Sequence, residues 1–413
     1  MAEYWVETPL PLERALAVLA GEQSSGTFVK VAGETGELTA RYRATIEGIR
    51  EIGTTGTPSL PAGRPVDSGG MYRQAVAEIS WPLHNLGTDV VNLLATVAGN
   101  LFELREFTGL RLLRLQLPEE FGHAYGGPRF GVAGTRRLAG VSKGPILGTI
   151  IKPSVGLSPE QTAARVEDLV ACGIDFIKDD ELMADPPHSP FSRRVDAVMA
   201  AIEKHAQRTG RRPMYAFNVS GDVDQMRRRH DHVVARGGTC VMASLHGVGP
   251  AGMQALAAHT AVPIHGHRNG WGLLYRSPAV GVSYTVMQQL WRLLGVDHLH
   301  CNGLRNKFCE SDESVVASAR ACLTPLFRPD DTAMPVISSG QWAGQAPDTL
   351  AALESADLLY LCGGGIVGHP DGVRAGVASV RQAWAAALAG VPLEEAARSH
   401  AELQAAITFF GAR

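Results

Sequence analysis

From about residue 146 the chain alternates short, nearly all-apolar runs with longer segments whose apolar positions recur every three or four residues. The short runs fall near 147–152, 174–179, 214–219, 239–244, 262–267, 297–301, 334–339 and 357–362. Runs this short and this apolar, rich in β-branched residues, predict strands buried on both faces. The segments between them, such as 159–172, 191–208 and 223–236, carry helical periodicity. About eight strands alternating with helices over some 250 residues predict an α/β fold, a C-terminal (β/α)8 TIM barrel.

The first 135 residues lack this rhythm. Residues 11–19 read as an amphipathic helix and 26–31 as a strand, which predicts a smaller α+β domain of ferredoxin-like type. The glycine-rich stretch 119–137 reads as a linker. The expected division is therefore 1–135 for the N-terminal domain and 136–413 for the barrel.

Composition narrows the classes of partner. A net charge of −3 in 413 residues gives no electrostatic reason to expect nucleic acid or an anionic membrane. The run Arg227-Arg228-Arg229-His230 falls in a predicted helix and reads as a solvated face. No apolar run approaches the length of a membrane span. The N-terminus lacks the basic start and apolar core of a signal peptide. The six cysteines are scattered without metal-ligand spacing, so a reducing, cytoplasmic setting is expected.

In a barrel of this kind, function gathers where strands end and loops begin. The unusual polar residues fall there: Lys152, Lys178 through Glu181, Asn218, His246, His267 and Arg268, His300, Ser338, and Gly363 through Gly365. Lys178-Asp179-Asp180-Glu181 closes one apolar run and sets a lysine beside hard oxygen ligands. Strand alternation puts Lys178 and Asp180 on one face. Taken alone, such a run is usually a solvated turn; its company of Lys152 upstream and His267-Arg268 downstream makes a site the better reading. Gly363 through Gly368 also satisfies G-x-G-x-x-G, but no acidic residue follows at the distance a ribose hydroxyl needs. The motif reads instead as a phosphate cradle after the last strands, together with Gly340.

These ordered motifs, spread from about Glu22 to about Pro370, resemble the large subunit of ribulose-bisphosphate carboxylase (Rubisco), and more closely its non-carboxylating Rubisco-like relatives. The resemblance implies that Lys178, carbamylated by CO2, joins Asp180 and Glu181 in holding Mg2+. It implies acid–base work on an enediolate for Lys152, help with proton transfer for His267, and a mobile-loop role for Lys307. Arg268, His300 and Ser338 would bind one phosphate of the substrate, and Gly340, Gly363 and Gly364 another anionic group. Glu22, Thr27 and Asn100 would reach a neighbouring subunit's site, so a homodimer or larger homo-oligomer is expected, without a small subunit.

Four departures bear on the reaction: Ser154 stands for a second lysine, Phe28 for a tryptophan, Trp271 for a histidine and Ser339 for a glycine. Trp271 is expected to add bulk near His267 and reshape the pocket. Loss of the lysine argues against CO2 fixation. What the resemblance then implies is Mg2+-dependent enediolate chemistry on a phosphorylated keto sugar acid, by decarboxylation or hydrolytic carbon–carbon cleavage of a 3-oxo-isoapionate 4-phosphate type of substrate. The alternatives are a diketo methylthiopentyl phosphate enolase or a methylthioribulose phosphate isomerase. The enolase is disfavoured because Asn100 stands where that group has its base lysine. A non-catalytic regulatory relic is the alternative of another class.

Overall fold

The structure, a computed structural model, describes residues 1–26, 31–61, 63–66 and 70–412. The strand expected at 26–31 lies mostly outside the described residues, as do Thr27 and Phe28. Among the described residues thirteen strands follow in chain order: β1 Ala2–Thr8, β2 Thr45–Thr55, β3 Tyr72–Ser80, β4 Gly109–Leu115, β5 Ile146–Ile150, β6 Phe176–Lys178, β7 Met214–Asn218, β8 Cys240–Ser244, β9 Ile264–His267, β10 Val280–Val282, β11 His298–His300, β12 Met334–Ile337 and β13 Leu359–Leu361.

Two compact units account for the chain. The first comprises residues 1–125 and 270–290, the second 126–269 and 291–413. The division thus falls near residue 125 rather than 135, and the first unit takes a later segment as well.

In the first unit the sheet order is β10-β4-β1-β3-β2. β1 lies antiparallel to both β3 and β4, while β10 pairs parallel with β4 through Val280↔Leu110. The helix Leu12–Glu22 buries Leu12, Ala15, Leu16 and Leu19, the i, i+3, i+4, i+7 stripe that its sequence predicts.

The second unit is a closed barrel of parallel strands in the order β11-β12-β13-β5-β6-β7-β8-β9, each expected run supplying one strand. Ile146, Phe176, Met214, Cys240, Met334 and Leu359 build its buried core near the strand starts. Lys178, Asn218, Ser244, His267 and His300 are the last residues of their strands, the end of the barrel where function gathers.

The stretch 119–137 is not a loop. Glu119–Ala124 and Gly131–Ala139 are helices, and Ala139 belongs to the barrel core. Gly131 and Gly134 within it serve close packing. Gly131 has φ +49°, and a Cβ there would stand 2.6 Å from the Thr332 carbonyl oxygen. The carboxylate of Asp297, fully buried, accepts the N–H groups of Phe130 (2.7 Å), Gly131 (2.9 Å) and Ile264 (2.9 Å). One side chain thereby fastens the start of that helix to β9 and β11.

Candidate active site

The turn after β6 owes its shape to residues flanking it. Alternation sends Asp179 away from the face of Lys178 and Asp180. It is fully buried and accepts from Tyr215 Oη (2.6 Å), Asn218 N (2.9 Å) and Arg194 Nη2 (3.3 Å). Arg194, itself 0% exposed, also donates to the carbonyls of Ser189, Met183 and Ala184 and so fixes the following loop. From the end of β7, Asn218 Nδ2 donates to the backbone oxygens of Asp180 (3.2 Å) and Glu181 (3.1 Å). These bonds leave little freedom in where the two carboxylates point.

Lys178 is 1% exposed, and its Nζ donates to Asp179 O at 2.8 Å. Burial pushes its pKa down, against the pull of Glu181, Asp180 and Asp179, because desolvation penalises the charged form. Lys152 reaches from the end of β5 to Asp180 Oδ2 at 2.8 Å and to Ser154 Oγ at 2.6 Å. Burial works against ionisation of Asp180, but Lys152 and Ser154 outweigh it and hold the carboxyl below its usual range.

Along the rim, His267 Nε2 stands 3.5 Å from Glu181 Oε2, and its ring centroid 4.6 Å from that of His300. Ser338 Oγ lies 3.1 Å from His300 Nδ1 and 3.4 Å from Ser339 Oγ. Ser339 donates to Asn302 Oδ1 (2.7 Å), and both residues have left-handed backbones, φ +69° and +62°. Such backbones in non-glycine residues need surrounding structure to hold them and cluster at functional sites. Asn302 Nδ2 donates to Glu310 Oε2 at 2.6 Å, and so does Arg268 Nη2. The loop carrying Lys307 is docked on the next strand's loop: Lys307 N donates to Ser339 O at 3.1 Å, and a Cβ on Gly340 would lie 3.7 Å from the Lys307 side chain.

The candidates from Lys152 through Ser338 and Gly340 thus sit at one end of the barrel, at or just beyond strand ends. Gly363 opens the short turn after β13 and faces Ile150 of β5. Glu22 and Asn100 belong to the first unit, where both are exposed. With its amide oriented to satisfy both partners, Gln23 donates to Ala95 O and accepts from Asn100 N, each at 3.1 Å. That bond gathers the end of one helix and the Asn100 turn. Trp271 is 2% exposed and packs its ring 5.0 Å from Tyr284 within the first unit. Glu310 is the site residue that the sequence reading misses, and its one signal there is an acid three residues beyond Lys307.

Among the described residues, His230, Asp231 and His259 also bring metal-type atoms within 4.8 Å of one another. Their hydrogen bonds argue against an ion. His230 Nε2 accepts the Ala261 N–H at 3.0 Å, so Nδ1 carries the ring proton and donates to Asp231 at 2.9 Å. A histidine ligand normally does the reverse, donating its second N–H outward.

Comparison with known proteins decides the lineage. The catalytic domain of the ribulose bisphosphate carboxylase large chain matches residues 131–410, and its N-terminal domain matches 7–121. The chain belongs to the ribulose bisphosphate carboxylase large-chain family. Within that family it is 54% identical over 410 residues to a 3-oxo-isoapionate-4-phosphate transcarboxylase/hydrolase of Xanthobacter autotrophicus, covering 99% of this chain and 98% of the other. It is 46% identical to a 3-oxo-isoapionate-4-phosphate decarboxylase of Rhizobium etli, covering 98% and 97%. A crystal structure of a Rubisco-like protein from Burkholderia fungorum superposes with TM-score 0.92 at 47% identity, over 99% of this chain and 98% of that one.

Proposed function

We propose that this Rubisco-like chain cleaves a carbon–carbon bond in a phosphorylated β-keto sugar acid of the 3-oxo-isoapionate 4-phosphate type. The observation that carries the reading is the Lys152–Asp180 contact beside the buried Lys178, in a chain similar over nearly its whole length to relatives named for that substrate. Of the two activities in those names, the transcarboxylase/hydrolase belongs to the more similar relative, which favours hydrolytic cleavage or carboxyl transfer over simple decarboxylation.

The donor set fits Mg2+. Asp180 and Glu181 offer hard oxygens on consecutive residues, and burial drives Lys178 toward the neutral amine, the form that would attack CO2 and lose a proton to give a carbamate. Lys178, Asp180 and Glu181 would hold the ion, which when bound polarises the substrate's ketone.

The chain's own groups do the rest. Lys152, fixed by Asp180 and Ser154, holds a proton on Nζ at the mouth of the site and delivers it to the carbon left electron-rich by cleavage. His267 stands against Glu181 and exchanges a proton on the opposite flank. Lys307, docked over Gly340, would hold the carboxylate of the substrate as the bond breaks. Gly340, Gly363 and Gly364 would offer backbone N–H groups to the phosphate. Glu22 and Asn100, exposed on the first unit, would serve another subunit's site in a homodimer.

The test is turnover of 3-oxo-isoapionate 4-phosphate by the Mg2+- and bicarbonate-treated protein, with products read by NMR in deuterated water. Lys152→Ala should lower kcat by about 10²–10⁴-fold with little change in KM, as for a group acting in the transition state. Labelled bicarbonate should not enter phosphoglycerate from ribulose bisphosphate. Efficient conversion of a diketo methylthiopentyl phosphate, with none of the β-keto sugar acid phosphate, would sink the proposal.

A further inference from the structure

Glu310 follows the Lys307 loop, just before the helix Asp312–Leu323. A glutamate there has the sequence look of a solvated loop acid, yet its side chain is only 2% exposed. Both carboxylate oxygens are engaged: Oε2 takes Arg268 Nη2 and Asn302 Nδ2, each at 2.6 Å, and Oε1 takes Ser314 Oγ at 2.8 Å. Arg268 is itself 8% exposed. A charge-assisted pair this short and this buried is not one that opens freely, since parting it leaves a buried charge without compensation.

The consequence lies in the charge that Arg268 can offer. Its guanidinium is matched by a carboxylate before any substrate arrives. A phosphate dianion brought to the pocket of Arg268, His300 and Ser338 would meet a cation already neutralised and a fixed negative charge behind it. Near a protein surface such like-charge repulsion is not screened away over a few ångströms. A hydroxyl-bearing end meets no such opposition, because Ser338, Ser339 and Asn302 supply a linked set of hydrogen-bonding groups along the same wall.

We propose that Glu310 determines specificity by closing the Arg268–His300–Ser338 pocket to phosphate, so that the substrate carries one phosphate, at the Gly340 and Gly363–Gly364 end, and presents an uncharged polyol end to Arg268. This rests on the placement of the phosphate given above and deepens it. It also reverses the expectation, drawn from resemblance, that Arg268, His300 and Ser338 take a phosphate.

Calorimetry on the full-length protein tests the idea with two probes, a pentitol 1-phosphate and the matching pentitol 1,5-bisphosphate. In the wild type the bisphosphate should bind no more than about threefold tighter than the monophosphate. Glu310→Gln keeps the shape and removes the charge; it should favour the bisphosphate by a further ~10-fold or more, the scale of one partly screened charge contact. Ser314→Ala, which loses a hydrogen bond but keeps the charge, should leave the wild-type ratio in place. A wild-type preference for the bisphosphate of ~10-fold or more overturns the proposal. So does an unchanged ratio in Glu310→Gln, a Ser314→Ala ratio that shifts as far as Glu310→Gln, or a monophosphate that fails to bind. Should Glu310→Gln not fold, the wild-type ratio decides alone. If these ratios hold while the turnover assay fails, the reaction is wrong and the pocket assignment stands.

Discussion

Lowering the pH from 7 to 5 should cost the barrel several kcal/mol of stability, because its interior is built on histidines that stay neutral when folded. His298 is fully buried, with Nε2 2.8 Å from Thr135 Oγ1 and Nδ1 facing only Cys240 Sγ at 4.0 Å. Thr135 passes its own hydroxyl proton to Gly131 O, so its oxygen accepts from Nε2. A second ring proton would find no good acceptor, and burial pushes the pKa down to about 3. Burial, helped by Arg268, takes His246 to about 4; burial and then Lys178 take His267 to about 4. Asp297 opposes them: burial raises its pKa to about 6 despite three backbone donors.

The signs follow from which state holds more protons. Below about 6.5 an unfolded histidine takes a proton that these folded ones refuse, so their contribution is full above that pH and lost as pH falls toward 4. Asp297 keeps a proton in the folded state that the unfolded chain has released, and pulls the other way between about 4 and 6. Near pH 5 the unfolded chain gains about three protons at the histidines and the folded chain keeps about one at Asp297, a net of about two. At roughly 1.4 kcal/mol per proton and pH unit, stability should fall by about 3 kcal/mol for each unit. His265 and His300, both driven well below the usual histidine range by burial, steepen the loss. That is a large share of the ~5–15 kcal/mol typical of a folded domain. Urea unfolding at pH 7, 6 and 5, followed by fluorescence of the buried Trp291 and Trp384, measures it. His298→Gln should flatten the slope by about one proton. Equal stability at pH 7 and 5, or an unaltered slope in that variant, would refute the reasoning.

Lys178→Ala should abolish Mg2+-dependent turnover, and mass spectrometry of the wild type after bicarbonate treatment should show a carbamate on Lys178. Full activity in CO2-free buffer would exclude it. Asn218→Ala removes the donors that hold Asp180 O and Glu181 O and should weaken Mg2+ affinity about 10-fold or more, as outer-sphere losses at metal sites do; calorimetric titration with Mg2+ checks this. Asp297→Asn turns a donor toward the Ile264 N–H and should destabilise the barrel by about 1–3 kcal/mol in urea melts at pH 7.

The eight barrel strands were legible because parallel strands covered on both faces leave unbroken apolar runs. The strand-end chemistry was legible for a related reason: a lysine or histidine closing such a run has no packing purpose. What escaped has equally physical causes. The helix Gly131–Ala139 carries glycines that resemble linker residues until the Thr332 backbone is seen against one of them. β10 is three residues long and contains Gly281 at φ +131°, too short for any periodicity. Glu310 escaped because nothing local links it to Arg268, 42 positions earlier; only the barrel's closure, through β9 pairing with β11, joins them.

The return of residues 270–290 to the first unit sets an order on assembly. β4 is hydrogen-bonded on one side by β1, but its other side waits for β10, with Leu110 N donating to Ala279 O and Ser283 N to Leu112 O. A ribosome must therefore make more than half of the barrel before the N-terminal sheet can be completed. Until then β4 is an open edge, the kind of surface that recruits foreign strands. Residues 1–125 expressed alone should aggregate, and supplying the 270–290 segment in trans should rescue them. For anyone who would divide this protein, the cut that looks natural in sequence strands one sheet without its last member.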